Sequence, residues 1–296
     1  MPSSLSIGFI GTGRVANTLA RALHNAGFEV AAVASRTIES ARRLADAIPG
    51  SRAMPNQQAV VDATTFVFLT VPDDAIEPLA SSLRWRGDMA VVHCSGATEI
   101  SALASAAKAG AQTGGFHPLH AFADPLVALA NLPGCAVAIE ADEPLLGHLN
   151  ALASALQLRP FRLPPGSRAI YHLSGSFAAS FIDGLLHEAV ELWQQRLGVS
   201  REQALAALLP LARGTLDSVA RMGTVAALTG PISRGDVGTV ERHFEALCVD
   251  HPRTLQLYAL LAQRSLAIAI GRGTLTDVQR TALEAAIAAA LKEGLR

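Results

Sequence analysis

The sequence has no excess of positive or of negative charge. Its 296 residues include 24 Lys and Arg against 25 Asp and Glu, for a formal net charge of -1. A protein that binds nucleic acid through its phosphates usually has a basic surplus, and a charged disordered tail shows as a block of like charges. We therefore expect no nucleic-acid partner and no charged tail.

Cysteine and long apolar runs are also scarce. Cys94, Cys135 and Cys248 are the three cysteines and have no CxxC spacing, which argues against a disulfide framework or a zinc site and favours a reducing compartment. No apolar run approaches the ~20 residues that span a bilayer, and no Lys or Arg precedes Ile7 as in a signal peptide. We expect a cytoplasmic protein that binds no metal and no membrane.

A glycine turn between a strand and a helix is what the sequence does have, over residues 7–16, which read IGFIGTGRVA. Glycine permits the sharp turn and lets a phosphate approach the backbone, and the following helix presents a partial positive charge at its N-terminus. This pattern predicts a dinucleotide pyrophosphate site. The candidate cofactor-binding residues are Gly11, Thr12, Gly13, Arg14 and Val15.

The residues after the second predicted strand, which covers residues 28–34, indicate which dinucleotide binds. Folds that select NAD usually place Asp or Glu there, whereas this chain has Ser35, Arg36 and Thr37. A guanidinium group suits a 2′-phosphate, so NADP is favoured over NAD. The structural alternative is that Thr37 caps the next helix and Arg36 is a solvated cation.

Two further predicted strands, over residues 65–71 and 89–94, should add to this site. The carboxyl ends of parallel strands meet at one edge of a sheet, so we expect Val71, Pro72 and Ser95 beside the cofactor. Ser95 can equally cap the helix predicted to start near residue 99. His93, inside the strand, is predicted to be a core histidine with satisfied ring nitrogens.

A His–Pro pair ends the next short strand. Pro118 restricts His117 to extended backbone, and an imidazole can pass a proton near neutral pH. We therefore predict His117 as a catalytic residue and give less weight to His120. The alternative is a loop histidine that is bonded to backbone.

The Pro-Pro-Gly run at residues 164–166 marks the predicted domain boundary, because strand patterns end there and helical periodicity follows. We expect an α/β domain with a parallel sheet over residues 1–163 and an all-helical domain over residues 164–296. The first helix is predicted to continue over residues 167–197. The apolar helices predict a homodimer through the second domain.

The start of that long helix is unusually polar. His172 and Ser176 are four residues apart and share one face. We predict a pocket wall in which His172 and Ser176 are catalytic and Ser174 binds substrate. The alternative is a close helix crossing in which the serine hydroxyls bond to helix carbonyls.

A third polar cluster lies between two predicted helices, over residues 230–236. Arg234 is a candidate clamp for a substrate carboxylate, since guanidinium and carboxylate pair in a bidentate manner. The alternative is a solvated loop cation. Asp236 is a candidate cap for the helix that follows.

These motifs resemble the superfamily that joins an N-terminal NAD(P)-binding Rossmann domain to a helical domain and includes 6-phosphogluconate dehydrogenase, prephenate dehydrogenase and pyrroline-5-carboxylate reductase. The chain is most similar to oxidoreductases in it whose C-terminal domain has no assigned function. The resemblance is carried by residues 7–16, 117–119, 172–176 and 230–236. It implies the architecture, the cofactor class and a homodimer. Several members place a Lys near the start of the long helix, where this chain has His172.

The function expected from the sequence is hydride transfer between NADP and a C=O or C=N bond of a small, carboxylate-bearing metabolite. His172 or His117 would donate the proton, and Arg234 would hold the carboxylate. The alternative is a dinucleotide-binding sensor or scaffold without hydride transfer, because a fold does not determine a function.

Overall fold

The computed structural model describes residues 5–248 and 250–294. The chain divides into two compact units, of which the first ends at Phe181 and the second begins at Ile182. The domain boundary predicted after residue 163 stays a prediction: the last strand ends at Arg162, and the first compact unit continues through the next helix.

The first unit contains an eight-stranded sheet in the order β3-β2-β1-β4-β5-β6-β7-β8. β7 pairs with β6 antiparallel, and β8 runs parallel to β7. The predicted α/β sheet is confirmed, although it is not parallel throughout: its last two strands run against the other six. The strands are β1 (Ser6–Ile10), β2 (Glu29–Ala34), β3 (Arg52–Ala53), β4 (Phe66–Leu69), β5 (Ala90–His93), β6 (Gln112–Pro118), β7 (Ala136–Glu140) and β8 (Arg159–Arg162).

Apolar side chains cover both faces of the sheet, as expected for strands with helices on each side. Phe9, Phe68 and Phe116 pack on one face, and Leu69 and Val91 lie in the cluster on the other. The helices of this unit are α1 (Arg14–Asn25), α2 (Ile38–Ala45), α3 (Gln57–Ala63), α4 (Asp73–Ser82), α5 (Ala104–Lys108), α6 (Pro125–Asn131), α7 (Leu145–Ala155) and α8 (Arg168–Ala178).

One edge of the sheet collects the candidate residues of the first unit. β1, β2, β4, β5 and β6 are parallel, so their carboxyl ends lie along the same edge. On one face near that edge, His93, Gly115 and Glu140 are neighbours across β5, β6 and β7. Opposed residues of paired strands project from the same face, so these positions form a row.

The helix predicted to run unbroken over residues 167–197 is two helices. α8 ends at Ala178, and α9 (Ser180–Leu197) follows after Ala179, whose backbone leaves the helical region at φ -131° and ψ -79°. Ser and Gly are poor helix formers, and the stretch from Ser174 to Ser180 is rich in them. Local propensity is therefore too weak here to enforce one continuous helix.

The second unit is helical, and its core lies between its last four helices, where Val240, Phe244, Leu255, Leu283 and Ile287 pack together. No described helix is both long and apolar enough to cross a membrane. Besides α9, the helices are α10 (Arg201–Ala226), α11 (Pro231–Arg234), α12 (Val237–Cys248), α13 (Pro252–Gly271) and α14 (Asp277–Glu293).

Candidate active site

The glycine turn after β1 has the geometry that a pyrophosphate site needs. Gly11 has φ +101°, and a Cβ there would collide with the Thr70 carbonyl, so only glycine fits. Gly13 precedes α1 without a side-chain cap, and no atom lies within 4 Å of where its Cβ would be. The first N–H groups of α1 are therefore open to an anion. Arg14 is exposed and Val15 is half-buried at the start of this helix.

The turn after β2 lies directly beside this loop. The Thr12 hydroxyl donates to Ser35 Oγ at 3.0 Å, which ties the two turns together. Thr37 caps α2 by accepting from the Ser40 N–H, so its structural role is present. Arg36 is exposed and has no hydrogen bond or ion pair within the described part of the chain. Its guanidinium group is free to meet a phosphate.

The ends of β4 and β5 give less direct support to the predicted cofactor contacts. Val71 is half-buried, and Pro72 is exposed at the start of α4. The Ser95 hydroxyl accepts from the N–H groups of Ala97 and Thr98 at 3.1 and 2.9 Å. It therefore holds its own turn and does not cap the short helix that follows, whose N-cap is Glu99.

A tyrosine that the sequence reasoning did not single out joins His117. The two atoms His117 Nδ1 and Tyr171 Oη are 2.6 Å apart, and the rings of His117 and His172 have centroids 6.4 Å apart. A Cβ on Gly96 would lie 2.8 Å from His172 Cδ2 and 2.9 Å from His117 Nε2. The two imidazole rings thus both lie close to Gly96, which has no side chain.

Burial determines the protonation of this pair. Desolvation, helped by His172 and Arg168, lowers the pKa of His117 to about 4, and burial raises the pKa of Tyr171 to about 12. At neutral pH, Tyr171 is therefore protonated and His117 is neutral. If Tyr171 donates to Nδ1, the remaining ring proton of His117 lies on Nε2, on the side of Gly96.

Arg168 has the largest fully buried side chain among the described residues, and its guanidinium group lies against Gly115. Its Nε donates to Glu140 Oε2 at 2.7 Å and its Nη1 donates to the Ser95 carbonyl at 2.8 Å. Nη2 has no hydrogen-bond partner among the described residues. A buried cation shifts the pKa values of the titratable groups near it.

His93 corrects one expectation. It is completely buried, as predicted, but neither ring nitrogen has a well-formed hydrogen bond to the described residues; only the backbone of Glu99 favours its protonated form. Burial first, and then the charges of Arg168 and His117, lower its pKa to about 3. The ring stays neutral because a second buried cation beside Arg168 is too costly.

The serines of α8 are engaged with the helix itself. Ser174 Oγ donates to the carbonyls of Ile170 and Tyr171, each at 2.8 Å, and Ser176 Oγ donates to the His172 carbonyl at 3.5 Å. This is the arrangement of the structural alternative, although both hydroxyls can still accept a hydrogen bond.

Arg234 and His120 have different surroundings. Arg234 ends α11 in the second unit, exposed and with no hydrogen bond or ion pair from its side chain to the described residues, while Asp236 accepts from the Thr239 N–H and caps α12. His120 Nδ1 is 3.3 Å from Cys135 Sγ. Nowhere in residues 5–248 and 250–294 do three His, Cys, Asp or Glu side chains group as a metal would need.

The sequence reasoning missed Tyr171, Arg168, Gly96 and Glu140. One signal was present, because two glycines inside a strand, Gly114-Gly115, indicate a close approach by another group. Tyr171 and Arg168 carry no local signal, since each finds its partner through tertiary contacts.

Two family models match the chain. Residues 6–96 match the model described as NADP oxidoreductase, coenzyme F420-dependent, and residues 135–265 match a domain of unknown function, DUF2520. The two models match separate stretches, the first in the sheet-containing part of the chain and the second from β7 into the helices that follow. This confirms the predicted family resemblance and the enzyme class, a dinucleotide-dependent reductase.

Solved structures support the same assignment. A candidate NADP oxidoreductase from Bacteroides fragilis is 25% identical with a TM-score of 0.73, covering 89% of this chain and 98% of its own. A protein from Thermotoga maritima is 25% identical with a TM-score of 0.68, covering 90% and 99%. A reductive aminase from Aspergillus terreus, solved with NADPH and ethyl levulinate, shares the fold at 15% identity with a TM-score of 0.60, covering 99% and 95%.

The predicted cofactor class, NADP, agrees with the family model and with the candidate NADP oxidoreductase from Bacteroides fragilis. A search of the curated proteins found no match. The particular likeness of the helical unit to 6-phosphogluconate dehydrogenase stays a prediction.

Proposed function

We propose that this protein reduces a C=O or C=N bond of a small metabolite with NADPH. The observation that carries the proposal is the His117–Tyr171 pair, 2.6 Å apart. It lies at the same edge of the sheet as the open glycine turn. Groups that hold a proton thus stand on the edge where a dinucleotide-binding sheet presents its cofactor.

The residues of the first unit fit the cofactor. The turn from Gly11 to Val15 would hold the pyrophosphate, and Ser35, Arg36 and Thr37 would surround the adenosine 2′-phosphate. Val71, Pro72 and Ser95 would border the nicotinamide half. When bound, NADPH supplies the hydride, and the protein supplies orientation and a proton.

We assign proton donation to His172 and a hydrogen-bonding role to His117. His172 is exposed on α8 and can exchange protons with water. His117, with its pKa near 4, carries no spare proton at neutral pH, but its Nε2–H can polarise a substrate oxygen or nitrogen. A buried neutral imidazole can act as an electrophile in this way.

The substrate contacts are the least constrained part of the proposal. Ser174 and Ser176 can accept hydrogen bonds from a substrate, because each hydroxyl uses its proton within α8. Arg234 has no partner that would compete for a carboxylate among the described residues. We therefore keep a carboxylate-bearing metabolite as the proposed substrate class.

The test is NADPH oxidation, followed by absorbance, with a panel of keto acids, aldehydes, cyclic imines and ketone–amine mixtures, and with oxidised coenzyme F420 as an alternative hydride acceptor. His172→Ala should lower kcat about 100-fold or more with the Kd for NADPH changed less than about twofold. His187→Ala, on exposed α9, is the matched control. Full turnover by the His172 variant would refute its assignment.

A dinucleotide-binding sensor is the second candidate. The internal hydrogen bonds of Ser174 and Ser176 favour it, as does the histidine where several relatives of the superfamily have lysine. NADPH binding without oxidation by any member of the panel would support the sensor and contradict the reductase.

We also propose a homodimer through the helical unit, in a reducing compartment such as the cytoplasm. The 26-residue helix α10 buries Ala204 alone and exposes Leu211, Leu216 and Met222 by 69, 52 and 54%. A second copy would cover this surface, since soluble monomers rarely expose large apolar patches. Light scattering at micromolar concentration should give twice the chain mass, and a monomer would refute the dimer. Cys94, Cys135 and Cys248 are free thiols, which suits that compartment.

A further inference from the structure

Gly115 projects no side chain from β6, which leaves a space on this face of the sheet. This residue pairs with His93 on β5 and with Glu140 on β7, so a side chain here would stand between them. A Cβ built on Gly115 collides with Arg168 Nη2. The guanidinium group of Arg168 therefore occupies the place that the missing side chain leaves.

The guanidinium group links three separate segments. Arg168 begins α8, Glu140 ends β7, and Ser95 follows β5; the two hydrogen bonds measure 2.7 and 2.8 Å. A planar guanidinium group suits this task, because its donors have a fixed fork geometry that an ammonium group lacks. The contact to Glu140 also balances the buried charge, which would otherwise be very costly.

The segment held through Ser95 is the one that separates the two histidines. Gly96 follows Ser95 directly, and a Cβ there would lie 2.8–2.9 Å from both imidazoles, so a side chain would force the rings to move. A shift of the Ser95–Gly96 turn would change the gap between His117 and His172. Displacements of about 1 Å near a reacting centre can reduce a rate about 100-fold.

We propose that Arg168 is a positioning residue, which sits in the space above Gly115 and holds the Ser95–Gly96 turn in the gap between His117 and His172. It acts through the turn and does not touch substrate. The proposal rests on the proposed reductase function only for its effect on turnover. Its effect on the histidine rings exists in the free protein.

The charged and titratable groups around His117 come from three elements. His93 faces it from β5, Tyr171, His172 and Arg168 face it from α8, and Glu140 on β7 acts through Arg168. Arg168 disfavours protonation of His117 by charge repulsion, in addition to burial. Charge and positioning can therefore be separated by a substitution that keeps only the charge.

Arg168→Lys keeps the charge but cannot hold both Glu140 and Ser95. We expect kcat to fall about tenfold or more, with the Kd for NADPH unchanged within about twofold. The pKa of His117, followed by NMR of labelled histidine rings, should stay low. Gly115→Ala should also lower kcat, because its Cβ displaces the guanidinium group.

The double variant Arg168→Met, Glu140→Met removes both charges and avoids an unpaired buried carboxylate. It should lower kcat like Arg168→Lys and, unlike it, raise the pKa of His117, because the repulsion from Arg168 is gone. Arg159→Met on exposed β8 and Gly214→Ala in open space on α10 are the matched controls. His117→Asn assigns the resonance.

The outcomes separate the two proposals. Unchanged ring resonances of His117 and His172 in folded Arg168→Lys and Gly115→Ala proteins would overturn the positioning role, whatever the turnover. Altered resonances in a protein that never oxidises NADPH would support the positioning role and refute the reductase. If Gly115→Ala does not fold, the Lys and double variants decide.

Discussion

The two halves of the sheet's carboxyl edge are built in different ways. At β1 and β2, the candidate cofactor loop consists of backbone and glycine, with the Thr12–Ser35 bond as its side-chain link. At β5 and β6, the candidate catalytic centre consists of buried side chains whose partners lie 54 and 73 residues apart, in the pairs His117–Tyr171 and Ser95–Arg168. The first half needs a short motif, whereas the second needs the whole unit to fold.

This difference determines how each half should fail. A change in the glycine loop should affect cofactor affinity and leave the chemistry of the histidines alone. A change among the buried side chains should affect turnover and leave the cofactor in place. Variants in each half should therefore separate cofactor affinity from turnover.

The largest effect should come from the His117–Tyr171 pair. Tyr171→Phe removes the hydroxyl 2.6 Å from Nδ1, so the ring of His117 loses its tautomer and its orientation. We expect kcat to fall about 100- to 1000-fold, the range for loss of a hydrogen-bond donor that stabilises the transition state, with the Kd for NADPH within about twofold. Stopped-flow turnover and fluorescence titration measure the two quantities.

A matched control exists in the second unit. His243 Nδ1 and Tyr258 Oη are 2.8 Å apart, in a pair of the same chemistry on α12 and α13. Tyr258→Phe should lose a similar amount of stability and leave kcat unchanged. Equal losses of kcat in both variants would contradict a special role for Tyr171.

The second effect concerns the glycine loop. Gly13→Asp meets no steric obstacle, because no atom lies within 4 Å of its Cβ position, and a carboxylate at a helix N-terminus is stabilising. It also repels a pyrophosphate. We therefore expect an unchanged or raised Tm and a Kd for NADPH raised about 100-fold, equivalent to ~2.7 kcal/mol.

Gly11→Ala sharpens the same test, because Gly11 combines φ +101° with a clash against Thr70. It should lose both stability and affinity. If the loop does not bind a phosphate, the Gly13→Asp protein will bind NADPH with the wild-type Kd, which would contradict this prediction.

The degree to which sequence predicted each half follows from the same contrast. Gly11 and Gly13 belong to one short motif, and Thr37 directly precedes the helix that it caps. Local spacing alone therefore indicated a strand, a turn and two helix starts. The row of His93, Gly115 and Glu140 arises from strand pairing, which no local spacing encodes. Arg168 is harder still, since burial of an arginine runs against its ordinary preference.

Predictions within helices failed for a related reason. The break at Ala179 lies in a stretch whose helix propensity is low, so tertiary packing decides its course.

The antiparallel direction of β7 could not be predicted from the sequence either, because the pattern of an apolar strand is the same in either direction.

The third effect is cofactor selectivity, which should be moderate because Arg36 is exposed. Arg36→Ala should raise the Kd for NADPH about tenfold, the loss of roughly one charge-assisted hydrogen bond, and leave the Kd for NADH unchanged. Arg43→Ala, on the following helix α2 and bonded to Ser40 at 2.7 Å, is the control. Parallel losses for both cofactors would show that Arg36 does not read the 2′-phosphate.

The smallest effect is a dependence of stability on pH that only the catalytic half should produce. In the folded protein, the pKa values of His93 and His117 are about 3 and about 4, below the ordinary 6.5. The unfolded chain therefore binds more protons below pH 6.5. The stability from these neutral rings is complete above that pH and decreases as the pH falls toward 4.

Each ring can contribute at most about 1.4 kcal/mol per pH unit, and 1 kcal/mol corresponds to about 2–4 °C in the Tm of a chain of this size. His93→Leu removes one ring and no well-formed hydrogen bond, so its Tm should equal or exceed that of the wild type at neutral pH and fall less steeply on acidification. The control variant His24→Gln replaces a half-buried histidine on α1 and should follow the wild-type curve. If the His93→Leu and wild-type curves stay parallel, the buried ring does not cause the acid sensitivity.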